Sequence, residues 1–424
     1  MKRLEDIQNA LYQAAKTDRK RKFYTLHDKI CRNDVLTEAW RRVKANNGTE
    51  GIDRVTLESI TDEESFINEL QKDLENRSYT VDKIKRVYIP KKDHSLRPLG
   101  IPTVRDRVVQ QAVKLIIEPI FEADFKSFSY GYRPNRSAKE ASREIYKYMN
   151  FGISGIIDLD IKGFFDHIDH DIMISKVMDR IADGYVIKLI REWLRAGIVF
   201  QWNTSYPMEG TPQGGVISPL LTNIYLNAMD TYWAETHYAE HMDAHLIRYA
   251  DDMLILCSPH DAELILNNLR EQFGKIHLSL NMDKTRITEA HKGFDFLSFH
   301  FIRKYDAEKG KDVTRFFPSV SATGHFREKV RIILNRKRAH FIGEEQLVKE
   351  MNIFITGWTN YFNHAQSTLA YRRLERFIEW KFSKFLAYRH KYRRPSPQFH
   401  PHAEPYSMGL KRLAGRISYL HDAA

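Results

Sequence analysis

The first forty-odd positions carry apolar residues at intervals of three and four, in LEDIQNALYQAA and again in NDVLTEAWRRVKA, the period of helices that bury one face. Asn47-Gly48 closes that stretch, and a further helical pattern runs through Phe66, Leu70 and Leu74. Then the period changes. KIKRVYIPKKDHSLRPLGIP reads as two short strands around a polar turn, a hairpin with basic residues at both ends. RDRVVQQAVKLIIEPIF predicts a helix, SYGYRPNRSA a loop bearing glycine and proline, and another helix opens at Ala138. From Gly155 to about Phe301 short apolar strands alternate with helices in an α+β manner. Beyond Thr323 the pattern is helical again, with the loop RRPSPQFHPHAEP before a short last helix.

Two segments combine this patterning with acids. In GIIDLDIKGFFDHIDH the period-2 alternation puts Ile157, Leu159 and Ile161 on one face of a strand and Asp158 and Asp160 on the other. HLIRYADDMLILC has apolar residues on both sides of Ala250-Asp251-Asp252, as a hairpin with acids at its tip would. Burying such flanks draws the acids to a core edge, where charge is costly unless a cation compensates it, and a divalent metal is the natural compensator. Phosphoryl transfer uses two such ions about 3.5–4 Å apart, with Mg²⁺ filling most of its shell from substrate and water, so two or three aspartates from separate strands suffice. A lone Asp-Asp pair would read as a solvated turn; the apolar strands around it and the first acidic segment reverse that.

Charge adds a partner class. The chain has 424 residues, 42% apolar, a net charge of +11 and a pI near 9.3. That length predicts two or three domains. From Arg327 to Ala424, 19 lysines and arginines face 8 acids, so the entire excess of 11 lies there, and the preceding residues balance at 47 of each sign. A polyanion is the expected partner. Within that segment Arg372, Arg373, Arg376, Lys381, Lys384, Lys391, Arg393 and Arg394 are interleaved with Tyr371, Phe377, Trp380, Phe382, Phe385 and Tyr392, offering phosphate neutralisation and stacking faces, or a solvated helix whose apolar side packs, or both. Cys31 and Cys257 have no CxxC partner, which excludes a disulfide framework and a cysteine zinc site and fits a reducing cytoplasm. No run of eighteen apolar residues occurs and the start resembles no signal peptide, so a soluble cytoplasmic protein without a membrane partner is expected.

These motifs have a family likeness. Tyr249-Ala250-Asp251-Asp252 resembles the YxDD signature of reverse transcriptases, DIKGFFDHIDH resembles their first catalytic motif, and with GTPQGGVISPLLTNIYLN they follow the family order. TEAWRRVKANNGTEGID, RPLGIPTVRDRVVQQAVKLIIEPIFEADF and SYGYRPNRSAKEA resemble blocks of the reverse transcriptase/maturase proteins encoded by bacterial group II introns, and FITGWTNYF resembles their thumb, or maturase X region. The likeness runs from Asn33 to Tyr361 and is densest between Arg97 and Phe299.

It implies an α+β right-hand polymerase: an N-terminal helical extension (1–32), fingers (33–150), palm (151–300), thumb (301–390) and a basic tail (391–424). It implies two Mg²⁺ ions, with Mn²⁺ as a substitute, held by Asp160, Asp251 and Asp252 with Ile161 beside them, and Asp158 and Asp166 in support. It places Lys91 and Arg97 over the incoming triphosphate, Ile161 and Gln213 on the nucleotide, and Phe165 against the sugar 2′-position, although Phe165 could also be one more core aromatic and GTPQGG a plain turn. Lys284 in LNMDKT matches a lysine that protonates or steadies the pyrophosphate, and FDFLSFHF resembles the strands that grip the primer end. The implied partners are an RNA template, a DNA or RNA primer, dNTPs, intron RNA and target DNA.

Two departures stand out: Arg54 and Ser298 occupy positions where glycine is common. The histidines and paired cysteines of an HNH endonuclease are not seen, and His400 and His402 read as loop residues. The rival readings are an RNA-binding splicing factor with secondary polymerase activity and a domesticated defence or CRISPR-associated reverse transcriptase. An RNA-templated RNA polymerase is disfavoured by Phe165.

Overall fold

In this computed structural model the described residues are 3–90, 96–200, 203–206, 208–211, 214–391 and 404–413. The elements follow in chain order. Helices α1 (Leu4–Thr17), α2 (His27–Ile30), α3 (Asn33–Ala45) and α4 (Glu63–Glu75) precede strands β1 (Ile84–Pro90) and β2 (Leu96–Ile101) and helices α5 (Val104–Glu122) and α6 (Ala138–Asn150). Next come β3 (Gly155–Leu159), α7 (His170–Met178), α8 (Gly184–Arg195), β4 (Ile198–Phe200), β5 (Asn203–Ser205), α9 (Ser218–Glu235) and α10 (Tyr238–Met242). Then follow β6 (His245–Tyr249), β7 (Asp252–Cys257), α11 (Ala262–Lys275), β8 (Arg286–Glu289), β9 (Phe294–Phe296), β10 (Phe299–Asp306) and β11 (Lys311–Pro318). Helices α12 (Val320–Ile333), α13 (Glu344–Phe362), α14 (Thr368–Arg389) and α15 (Glu404–Ser407) complete the order. None of the described helices is long and apolar enough to cross a membrane.

The chain divides into two compact units, Met1–Ser137 with Ile157–Ile255 and Asp261–Arg286, and Ala138–Ile156 with Leu256–His260 and Ile287–Ala424. In the first, α5 is the central post, buried nearly all round and along most of its length, with Asp106, Arg107, Gln110 and Gln111 buried among its apolar residues. Helix α1 lays Ile7, Leu11 and Ala15 against it, α3 lays Val35, Leu36, Ala39, Trp40 and Val43, and Gln8 Nε2 donates to Leu115 O at 2.8 Å. The predicted hairpin forms, with β1 and β2 antiparallel in a register that sets Ile89 opposite Arg97. Its sheet goes further than expected: β4 pairs parallel with β1 through Ile84–Ile198 and Lys85–Val199, giving the order β2-β1-β4-β5. Strands β4 and β5, from the stretch expected in the palm, therefore extend the sheet of the predicted hairpin, a non-local pairing that three-residue strands do not announce. A second sheet, β6-β7-β3-β8, carries both acidic segments.

In the second unit β11-β10-β9 form an antiparallel sheet. Alternation along it stacks Phe301 between Phe294 and Phe316, each pair with ring centroids 5.3 Å apart. Helix α6, expected with the fingers, belongs here, burying Ala141, Ile145 and Met149 against β10 and β11, with the Ser142 hydroxyl 2.8 Å from His364 Nε2. The C-terminal helices begin at Val320, close to the Thr323 where the helical pattern resumes, because the chain stays in the sheet to Pro318.

Candidate active site

Strand β3 buries Ile156, Ile157 and Leu159 and leaves Asp158 and Asp160 half-buried, as the alternation predicted. Just beyond it the backbone runs beside residues 279–285: Lys162 N donates to Ser279 O at 2.9 Å, Asn281 N to Asp160 O at 2.7 Å, and Asp160 N to Thr285 Oγ1 at 3.3 Å. That pairing sets Lys284 Nζ 3.9 Å from Asp160 Oδ2. Ile161 pairs with Leu280 and its side chain is buried, which leaves its backbone as the group it can offer.

The hairpin β6–β7 turns at Ala250, buried and left-handed with φ of 57°, and carries Asp251 and Asp252. Asp251 is raised by burial first, with Asp160 adding to it and Arg97 and Arg248 opposing. Although Asp252 meets solvent over part of its surface, the protein around its carboxyl and then Asp251, Asp158 and Asp160 push it up to about 6. The phenol of Tyr249 is raised by burial, then by Tyr132 and Asp252. The first motif and the hairpin tip thus form one field of like charge, with Arg97 opposite it. No three ligating side chains among the described residues converge as a finished metal cage. The donor set still suits a hard cation: oxygen ligands only, with the Asp251 and Asp252 carboxylates destabilised by burial and by neighbouring acids, which a divalent ion would relieve.

What holds the tip is a buried network that hydrophobic periodicity does not reveal. Arg248 is fully buried, its guanidinium forked on the equally buried Asp230 at 2.8 and 2.5 Å, with Nη1 donating to Asn223 Oδ1 at 2.8 Å and Ala250 O at 3.0 Å. Asn223 Nδ2 donates to Gly131 O at 2.8 Å, and Tyr130 N to Arg248 O at 2.8 Å, so the SYGYRP loop is tied to the same hairpin. A Cβ on Gly131 would collide with the Ala250 nitrogen. The signal lay in the sequence: an arginine inside an apolar strand, and a lone acid in the apolar helix TNIYLNAMD, each needing the other.

Phe164 and Phe165 divide their roles. Phe164 is core, whereas Phe165 is half-buried and its carbonyl accepts from Thr211 N at 2.7 Å, bringing the GTPQGG block to the first motif. Gln110 Oε1 accepts from Val216 N at 2.9 Å beyond that block, and Gly214, at φ of 119°, packs so closely on Gly100 O that a Cβ would approach to 2.5 Å. Asp166 is exposed in the short 3₁₀ turn Phe164–Asp166. Lys91 and Gln213 lie outside the described residues.

In the second unit α14 sorts its residues by face. Tyr371, Phe382 and Phe385 are buried with Leu374 and Ile378, and Arg372, Arg373 and Arg376 are exposed. Trp380 is 50% exposed, with Lys384 Nζ 4.0 Å and Lys381 Nζ 5.5 Å from its ring centroid. Burial, then Arg331, Lys384 and Arg336, lower Lys381. Tyr392, Arg393, Arg394, His400 and His402 lie outside the described residues.

Residues 89–301 match the family model described as reverse transcriptase (RNA-dependent DNA polymerase), and residues 323–399 match the group II intron, maturase-specific domain. The chain belongs to the reverse transcriptase family. Its maturase-specific domain places it in the group II intron branch of that family, whose members use divalent metal ions. Among its relatives, protein YkfC of Escherichia coli is 32% identical over 71% of this chain and 89% of its own length. The group II intron-encoded protein LtrA of Lactococcus lactis is 37% identical over 50% of this chain and 35% of its own length, so this reverse transcriptase aligns with about a third of LtrA. A putative COX1/OXI3 intron 2 protein of Saccharomyces cerevisiae is 29% identical over 62% of this chain and 37% of its own length.

Proposed function

We propose that this reverse transcriptase extends a primer 3′-hydroxyl with dNTPs on an RNA template, using two magnesium ions held by Asp160, Asp251 and Asp252, with manganese as a substitute. The carrying observation is that β7 and β3 are neighbours in one sheet, which brings the motif after β3 to the β6–β7 tip although Asp160 and Asp251 are 91 positions apart, and the tip acids are raised there by burial and by neighbouring acids. Bound magnesium would supply charge neutralisation at the attacking hydroxyl and the leaving oxygens. Arg97, which already opposes the charge of both tip acids, faces the triphosphate together with Lys91. Lys284, paired with Asp160, is placed to donate to the departing pyrophosphate. Phe165 crowds the sugar 2′-position, and Gln213 contacts the nucleotide.

The fingers, palm and thumb divisions remain as the family likeness assigns them, with residues 198–205 and 138–150 regrouped as above. Arg372, Arg373, Arg376, Lys381 and Lys384, with Arg393 and Arg394, bind intron RNA and assist its splicing and mobility in the cytoplasm; the exposed arginines of α14 favour this second role.

Primer extension on an RNA template with dNTPs and Mg²⁺ tests the reading. The intact protein should extend and Asp251→Asn, nearly isosteric but missing a ligand charge, should not. Tight RNA binding by both without extension by either would leave the splicing role alone.

A further inference from the structure

Beside the catalytic tip one aromatic side chain stands where local physics disfavours it. Tyr132 is 56% exposed, and its φ of 56° lies in the left-handed region that suits glycine or asparagine and strains other residues. The backbone around it has no freedom to relax. Tyr130 N is held by Arg248 O, Gly131 is pressed on Ala250, and Arg133 is buried, donating to both Glu122 oxygens at 3.0 and 2.6 Å and to Ser129 O at 2.6 Å. The same contacts fix Tyr132 relative to Asp251. Its ring centroid is 6.2 Å from that of Tyr249, tilted by 47°, so an exposed aromatic ring stands beside the tyrosine that leads into the tip.

Strain that is held rather than relieved marks a residue retained for contact. On the polymerase reading above, which this inference extends, the primer's 3′-hydroxyl would be held at the ions of Asp160, Asp251 and Asp252, which brings its terminal nucleotide to the β6–β7 tip. We propose that Tyr132 is a substrate-contacting residue, completing with Tyr249 an aromatic platform on which the terminal nucleotide of the primer stacks. Stacking on such a ring strengthens binding by about five- to a hundred-fold per base. It requires the ring and not the hydroxyl.

The experiment compares the intact protein with Tyr132→Gly and Tyr132→Phe, measuring melting temperature, affinity for a recessed RNA–DNA primer–template, and steady-state extension. Glycine adopts the observed φ without strain, so Tyr132→Gly should melt no lower than the parent. It should nonetheless bind the recessed duplex about tenfold more weakly and show a raised KM for it, with kcat less affected. Tyr132→Phe should match the parent. On a primer ending in an abasic nucleotide the parent and Tyr132→Gly should bind equally. Unchanged affinity in Tyr132→Gly overturns the proposal, as does a Tyr132→Phe defect equal to that of glycine, or a glycine defect that persists on the abasic primer. Extension by the parent is the separate check on the polymerase reading, because the affinity comparison needs no turnover.

Discussion

At the scale of single residues, backbone conformation and burial explain positions that composition leaves odd. Arg54 and Ser298, both standing where the family commonly has glycine, have φ of 60° and 68°, and Leu297 beside Ser298 has φ of 47°. Two consecutive left-handed residues make the tight turn between β9 and β10, which Tyr361 fastens by donating its hydroxyl to Leu297 O at 2.9 Å. Ser298→Gly should therefore stabilise the protein by about 1 kcal/mol, read as a raised denaturant midpoint; an unchanged or lowered midpoint would show that the turn carries no strain. Asp106 is the other case. It is buried at the start of α5, accepts from the Tyr79 hydroxyl and from Asp82 N at 3.2 Å, and is pushed up to about 7 by burial, with Asp82 adding to the rise. For a carboxyl raised above its ordinary value, the stabilising contribution is complete below the usual carboxylate range and is lost as pH rises through about 7. Melting curves from pH 5 to 8.5 should show the parent losing stability more steeply than Asp106→Asn, and parallel profiles would contradict this. The candidate aspartates were legible as residues, and Arg248 and Asp230 as odd charges in apolar elements; their pairing was not, because they are 18 positions apart and meet only when the chain packs.

At the scale of elements, the helical patterns forecast α1, α3, α4 and α5, the alternation forecast β3, and short apolar strands around a polar or acidic turn forecast the β1–β2 and β6–β7 hairpins. Local patterns do this well because each such element is specified by its own residues. The pairing of β4 with β1 and the allegiance of α6 to the C-terminal unit are tertiary choices, made by edges and faces that look alike in one dimension. The same applies to the loop 129–136, whose composition announces a turn but not that its Gly131 is a spacer under the β6–β7 hairpin. A methyl group there meets backbone, not a flexible side chain, so the hairpin tip itself must shift. Gly131→Ala should keep most of the helical circular dichroism yet lose extension by at least about tenfold, since displacements near 1 Å at a reacting centre cost more than that. Full activity in this variant would mean that the loop yields instead of the tip.

For the whole molecule, charge is distributed by unit. The balanced chain before Arg327 contains the acids that would bind metal, and the excess of 11 positive charges follows it. On α14 the exposed Arg372, Arg373 and Arg376 lie on the side away from buried Tyr371, Phe382 and Phe385. Every phosphate of single-stranded RNA that a cation neutralises adds about 0.7 to the steepness of log affinity against log salt, so replacing the three arginines with glutamine should flatten that slope by roughly 2. An unaltered slope would remove this face from the RNA-binding surface.

The sequence by itself determined the chemistry: which acids, in what order, on which strand faces, with what family likeness, and where the positive charge lies. These are properties of residue type and short period, which a linear string states directly. Only the tertiary structure decided that Lys284 and Arg97 meet those acids, that Phe165 rather than Phe164 stays half-open, that the aromatics of α14 mostly pack, and that Arg248, Asn223 and Gly131 hold the tip where Tyr132 stands beside it. The reason is physical. Burial, like-charge repulsion and close backbone approach are properties of pairs distant in the chain, and they come into being when the chain packs.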